Sequence, residues 1–134
     1  EGVFDALDTV KFSLAVSAQI ISCMKIRKEN MRCAVEEDFS NATDLADYLV
    51  KKNLPFRQAH EVSGKLVHYC IDKNIYLKDL TLEEFKTFSP LFEKDIFDAI
   101  KPETCVAARN SQGGTSYRQL EIQIESARAW LKDL

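Results

Sequence analysis

The sequence predicts an all-α chain: one long bundle helix, then a small multi-helix C-terminal domain with a helix-turn-helix-like corner. Apolar residues recur at spacings of three and four along most of the chain, and no stretch alternates like a half-buried strand. Only four glycines and three prolines interrupt 134 residues, so long helices meet few breaks. That length suits one domain, or one domain with an appendage. Residues 1–38 read as the bundle helix and its connector, and residues 39–134 as the C-terminal helical domain.

The first helix is expected from about Val3 to about Ile26. Phe4, Leu7, Leu14, Ala18 and Ile21 form one apolar stripe. Val3, Val10, Val16, Ile20 and Cys23 form a second. From Val10 onward the helix is therefore apolar around most of its circumference, the pattern of a helix buried on several sides. At 1.5 Å per residue it would be about 36 Å long, too long for the rest of this chain to surround. Glu1-Gly2-Val3 offers no Ser, Thr, Asp or Asn cap. These features together suggest a chain taken from a longer protein, beginning within or just before a helix.

Glu29 to Val35 reads as a short helix, and Phe39 to Ala42 as a connector. Ser40 or Asn41 can cap the next helix, with Asp44 in its first turn favoured by the helix dipole. That helix should bury Leu45, Tyr48 and Leu49 and stop at Asn53 in a left-handed conformation. Pro55 suits the first position of the following helix. The expected buried stripe there is Phe56, Ala59, Val62 or Ser63, Leu66, Val67 and Cys70. Gly64 costs about 1 kcal/mol relative to Ala in a helix interior, which close contact with a neighbouring helix would explain.

Thr81-Leu82-Glu83-Glu84 is a capping box that opens another short helix through Phe85. Leu91 to Ile100 should make one or two turns, with Phe92, Ile96 and Phe97 inward. Cys105 to Thr115 reads as a polar loop. The last helix should run from about Ser116 to Lys132, with Tyr117, Leu120, Ile124, Ala127, Leu131 and Leu134 on one face. Trp130 lies one position off that face, partly exposed or at an interface.

Several motifs have both a chemical and a structural reading. The corner from Asp44 to Asp72 places Arg57, Gln58 and His60 where a recognition helix presents side chains to bases. A packed helical corner has the same pattern, and Asp44, Asp47, Glu61 and Asp72 favour it. Gly113-Gly114-Thr115 could present free amides to an anion, or could simply be a turn followed by a Thr or Ser cap. His60 and His68 lie eight residues apart near one helix face, with Glu61 beside His60. Either could exchange protons, but no partner stands at a triad spacing.

The net charge of −3 argues against nucleic acid and anionic membrane partners. Cys23, Cys33, Cys70 and Cys105 are far apart, and neither histidine flanks one at a zinc-like spacing. They read as free, mostly buried thiols in a reducing cytosol, with two disulfides as the alternative. The acidic start lacks the basic segment of a signal peptide. The most apolar run, Val10 to Met24, is shorter than the roughly 20 residues of a membrane span.

The stretch from Thr43 to Lys65, Thr-Asp-Leu-Ala-Asp-Tyr-Leu-Val-Lys-Lys-Asn-Leu-Pro-Phe-Arg-Gln-Ala-His-Glu-Val-Ser-Gly-Lys, closely resembles a motif in the C-terminal domain of argininosuccinate lyases, including the delta-crystallins of the lens. Arg27-Lys28-Glu29-Asn30-Met31 resembles the segment that joins that family's central helical bundle to its last domain. Leu80-Thr81-Leu82-Glu83-Glu84, Phe88-Ser89-Pro90-Leu91-Phe92 and Gly113-Gly114-Thr115 recur in the same order. Fumarases, aspartases and adenylosuccinate lyases share the superfamily's bundle without this C-terminal pattern.

The resemblance implies a cytoplasmic homotetramer that eliminates fumarate from argininosuccinate, leaving arginine, with no metal or organic cofactor. It also implies that residues 1–38 hold the last bundle helix, whose partners are upstream domains and other subunits. Neither nucleic acid nor a membrane is implied as a partner. The family's mobile Gly-Ser-Ser loop supplies the serine thought to act as base, and that string does not occur here. Its threonine–histidine segment is missing too, and its substrate-holding residues lie upstream of the position matching Glu1. The resemblance therefore implies no catalytic, cofactor-binding or metal residue in this chain. It leaves open whether the parent is an enzyme or a lens crystallin.

Overall fold

A computed structural model describes residues 1–132. Eight α-helices follow in order: α1 Gly2–Cys23, α2 Lys28–Glu36, α3 Ala42–Lys51, α4 Phe56–Lys73, α5 Leu82–Phe88, α6 Ile96–Ala99, α7 Pro102–Ala107 and α8 Tyr117–Lys132. A single 3-10 turn lies at Leu77–Asp79. No strand occurs among the described residues. The chain forms two compact units, Glu1–Met31 and a second beginning at Arg32.

Helix α1 is the rod expected from the apolar pattern, and none of its side chains is buried. Val3, Phe4, Val10, Phe12, Leu14, Ile20 and Ile21 are all exposed. Glu1 precedes the helix without a side-chain cap. The helix stops at Met24, where the backbone turns extended. At 22 residues it is long and apolar enough, by length and composition, to cross a membrane. The expectation that this run is too short for a span is therefore corrected. Asp5, Asp8 and Lys11 are charges along it.

The second unit is built on the corner of α3 and α4. Leu45, Ala46 and Leu49 of α3 and Ala59, Leu66 and Cys70 of α4 are almost completely buried. Burying each large aliphatic side chain contributes about 1.5–3 kcal/mol. Asn53 makes the turn at φ 68°, the left-handed conformation expected of it. Leu54 N–H then donates to the Leu49 carbonyl. Pro55 sits one place earlier than expected. It is the capping residue, with extended ψ of 137°, and α4 begins at Phe56. That register leaves Phe56 exposed, correcting its place in the buried stripe. Ser63 takes the core position, and its hydroxyl donates to the Ala42 carbonyl at 2.7 Å.

Three aromatic rings fill the space beneath the corner. Phe85 lies 5.1 Å from Phe92 and 5.9 Å, edge-on, from Phe97. Tyr48 stacks on Phe92. The Tyr48 hydroxyl donates to Asp95 and accepts from the Glu93 amide. Lys52 pairs with Glu93 and with Asp95. Tyr48 thus locks the turn before α6 onto α3. Its pKa is raised by burial and by Asp95, while its hydrogen bond lowers that of Asp95.

Helix α5 opens with the expected capping box. Thr81 Oγ1 accepts from the Glu84 amide at 3.2 Å, and Glu84 Oε2 accepts from the Thr81 amide at 2.8 Å. Tyr69 of α4 also donates to Glu84, at 2.9 Å. Helix α7 spans Pro102–Ala107, with Pro102 at its start, and takes Cys105–Ala107 out of the expected polar loop. Pro102 was the overlooked start signal. The loop proper is Asn110 to Thr115. Helix α8 spans the expected residues but buries none of them, so its apolar face does not turn inward. Leu134, the last position assigned to that face, lies outside the described residues. Cys70 is buried and Cys105 half-buried, whereas Cys23 and Cys33 are exposed. All four thiols are free, but they are not mostly buried.

Two predictions follow from the cap of α5. Thr81→Ala should lower stability by about 1 kcal/mol, read from the urea midpoint. The Thr81 amide, then Tyr69, hold the Glu84 carboxyl down at about 2, against an ordinary 4.5. A carboxylate depressed in the folded state stabilises above its unfolded pKa and loses that contribution as pH falls through the folded one. The gap in urea midpoint between the natural protein and Glu84→Gln should therefore be constant above about pH 4.5 and close towards pH 2. A gap that does not change over this range would contradict the assignment.

Candidate functional site

The side chains with chemical potential gather on α4. His60 and His68 are both exposed. They line a shallow groove of about 220 Å³ with Thr43, Ser63, Gly64 and Val67. On one helix, eight residues place them about 12 Å apart along the axis, too far to share one proton or ion. His60 lies near the Phe56 ring, centroids 6.1 Å apart. Glu61 does not serve His60. It pairs instead with Lys65 at 2.8 Å, and that hydrogen bond lowers its pKa. Arg57 and Gln58 are exposed on the first turn of α4.

Gly64 borders this groove and does not meet a neighbouring helix. A Cβ there would find nothing within 4 Å. The expected close contact is thus corrected: Ser63, one position earlier, faces α3.

Gly113-Gly114 is a turn. Gly113 adopts φ +78°. A Cβ on Gly114 would fall 2.2 Å from the Arg109 carbonyl oxygen and 2.8 Å from that of Ser111. Glycine is required by the backbone conformation at Gly113 and by space at Gly114. Ser116 is the cap, its hydroxyl accepting from the Gln119 amide at 3.3 Å and donating to Asn110 at 2.7 Å. The Gly114 amide donates to Ser111 at 2.8 Å. This arrangement matches the structural reading of the motif.

Burial pushes the Cys70 and Cys105 thiols up to about 11, away from the reactive thiolate. No group of three or more His, Cys, Asp or Glu that could hold a metal occurs among the described residues. The strongest polar clusters tie elements together: Tyr48 with Asp95 and Lys52, Tyr69 with Glu84 and Lys73, and Arg109 with Asp44 at 2.9 Å. Sequence reasoning missed these because the partners of Tyr48 and Arg109 lie far away in the chain. The usable signal was general: a buried tyrosine hydroxyl needs a partner.

The pairing of α3 with α4, the capped α5 and the Phe85–Phe92 core all lie within a stretch matched by a family model. That model, described as argininosuccinate lyase C-terminal, matches residues 39–107. The chain belongs to this family. It is 56% identical over 127 residues to the argininosuccinate lyase of Symbiobacterium thermophilum, covering 95% of this chain and 28% of that protein. It is 51% identical over 128 residues to that of Bacillus mycoides, covering 96% and 28%. Among solved structures it is similar to an EDDS lyase variant with bound fumarate. The TM-score is 0.71 at 29% identity, over 79% of this chain and 23% of that one. The chain thus spans under a third of the length of the curated relatives it matches.

Two glycine substitutions separate a helix glycine from a turn glycine. Gly64→Ala should stabilise the chain by about 0.4–1 kcal/mol, because the helix gains propensity and nothing is displaced. Gly114→Ala should destabilise, since backbone oxygens must move. Thermal unfolding of the two variants tests both signs, and equal shifts in one direction would contradict the reading.

Proposed function

We propose that this chain is the C-terminal part of an argininosuccinate lyase. The parent eliminates fumarate from argininosuccinate and leaves arginine, as a step of arginine biosynthesis. Its likeness to argininosuccinate lyases and the fumarate bound to the similar lyase support this reading. The parent's reaction is an elimination in which a base takes a proton beside a carboxylate and an acid assists the departing guanidinium. It needs no metal or organic cofactor and runs in the cytoplasm.

In this reading the chain's own role is structural. Residues 1–38 contribute a helix to a central bundle shared by the subunits of a homotetramer. Residues 39–134 form a helical domain that braces the bundle and shapes the rim of the active-site cleft. No residue here contacts the reacting atoms, and nucleic acid and membranes are not partners. The observation that carries this is α1, an apolar rod whose side chains are exposed along its whole length. Burial at about 25 cal/mol per Å² gives such a helix a strong drive to find cover.

The chain alone should not turn over argininosuccinate. Fumarate absorbance after adding the substrate is expected to stay at the buffer background. Turnover above that background would refute the assignment of a purely structural role.

A further inference from the structure

Helix α8 carries a second uncovered apolar surface with a more specific pattern. Tyr117, Leu120, Ile124, Ala127 and Leu131 are spaced three, four, three and four apart. These are the a and d positions of a heptad, the seam of a coiled coil. Tyr117 is 69% exposed, Leu120 46%, Ile124 41% and Leu131 62%. The helix is also held in place. Gln119 Nε2 donates to the Asn110 carbonyl at 3.1 Å, and Gln123 Nε2 to that of Gly114 at 2.9 Å. The loop thus grips one side of the helix and leaves the seam open.

We propose that α8 pairs, antiparallel, with α8 of a second copy of this chain. Charge makes the face complementary to itself and sets the direction of pairing. With Tyr117 at a, the e positions are Glu121 and Arg128, and the g positions are Ser116, Gln123 and Trp130. Antiparallel pairing sets Leu120 opposite Leu131 and Ile124 opposite Ala127. It then brings Glu121 of each copy beside Arg128 of the other, giving two opposite-charge pairs. Parallel pairing would set e against uncharged g positions and gain nothing. Antiparallel pairing also brings Trp130 to Gln123 of the other copy. There an uncharged groove of about 620 Å³, lined by Gln119, Ile122, Gln123, Ala127 and Trp130, runs beside the seam. An indole suits such a groove.

Sixteen residues make a seam only about 24 Å long. Two heptads are short for a coiled coil, so the pairing is a weak, reversible one at the small end of specific interfaces.

The test uses sedimentation and the emission of Trp130, the chain's single tryptophan, over a micromolar to millimolar concentration series. The natural chain is compared with Glu121→Arg, Arg128→Glu and the double variant. The natural chain should associate with a blue shift of Trp130. Each single reversal puts like charges opposite and should weaken that association about 3- to 10-fold. The double reversal should restore it. Leu120→Glu should abolish the Trp130 shift altogether. Equal association in all four charge states, or a double variant as weak as the singles, overturns the proposal. So does a Trp130 emission unchanged at every concentration, which would leave any self-association to α1 and the seam to another chain.

Discussion

The hydroxyl of Ser63 donating to the carbonyl of Ala42 is the contact on which the C-terminal unit turns. It ties the middle of α4 to the first residue of α3, where a larger side chain would hold the helices apart. With that approach fixed, Leu45 and Leu49 meet Ala59 and Leu66 with essentially no surface left to water. The chain after α4 folds back beneath this corner. Leu77, Leu80, Phe85 and Phe92 close the underside, and Tyr48 fixes the last of these turns through Asp95. A buried hydroxyl with a good acceptor stabilises modestly, but left unpaired it would cost about 1–3 kcal/mol. The corner is therefore specific as well as stable.

Helices α1 and α8 follow a different rule. Neither α1 nor α8 buries a single side chain, although both are rich in apolar residues. In α1 those residues surround the axis, which suits a position inside a bundle of several helices. In α8 most of them lie on one heptad seam with charges at its edge, and Ile122 and Trp130 line the groove beside it, which suits a single partner helix. The kind of cover each helix calls for thus follows from how its apolar residues are distributed.

Much of this was legible in the sequence. The capping box at Thr81, the left-handed Asn53 and the Ser cap before α8 depend only on neighbouring residues, so local patterns revealed them. The α1 rod was legible because its periodicity is long. What escaped was decided by distant groups or by a shift of one residue. Phe56 looked like core, but moving Pro55 to the cap rotates it to the surface. Gly64 suggested a close neighbour, yet Ser63 makes the contact. Helix α7 escaped because its six residues are too few to show a period, and its last three fall in the expected loop. The family resemblance was legible in the Thr43–Lys65 motif. That motif lies on the packed corner, so it identifies the domain without disclosing any reacting group.

Hydrogen exchange, followed as the protein is diluted, tests most directly whether this chain is a self-sufficient corner joined to a rod that needs company. The amides of α3 and α4 should stay protected at every concentration. Those of α1 should exchange within seconds in the dilute monomer and become protected only as copies associate. An α1 as well protected as α4 in a monomer would contradict the account, because the rod would then have found its cover within its own chain.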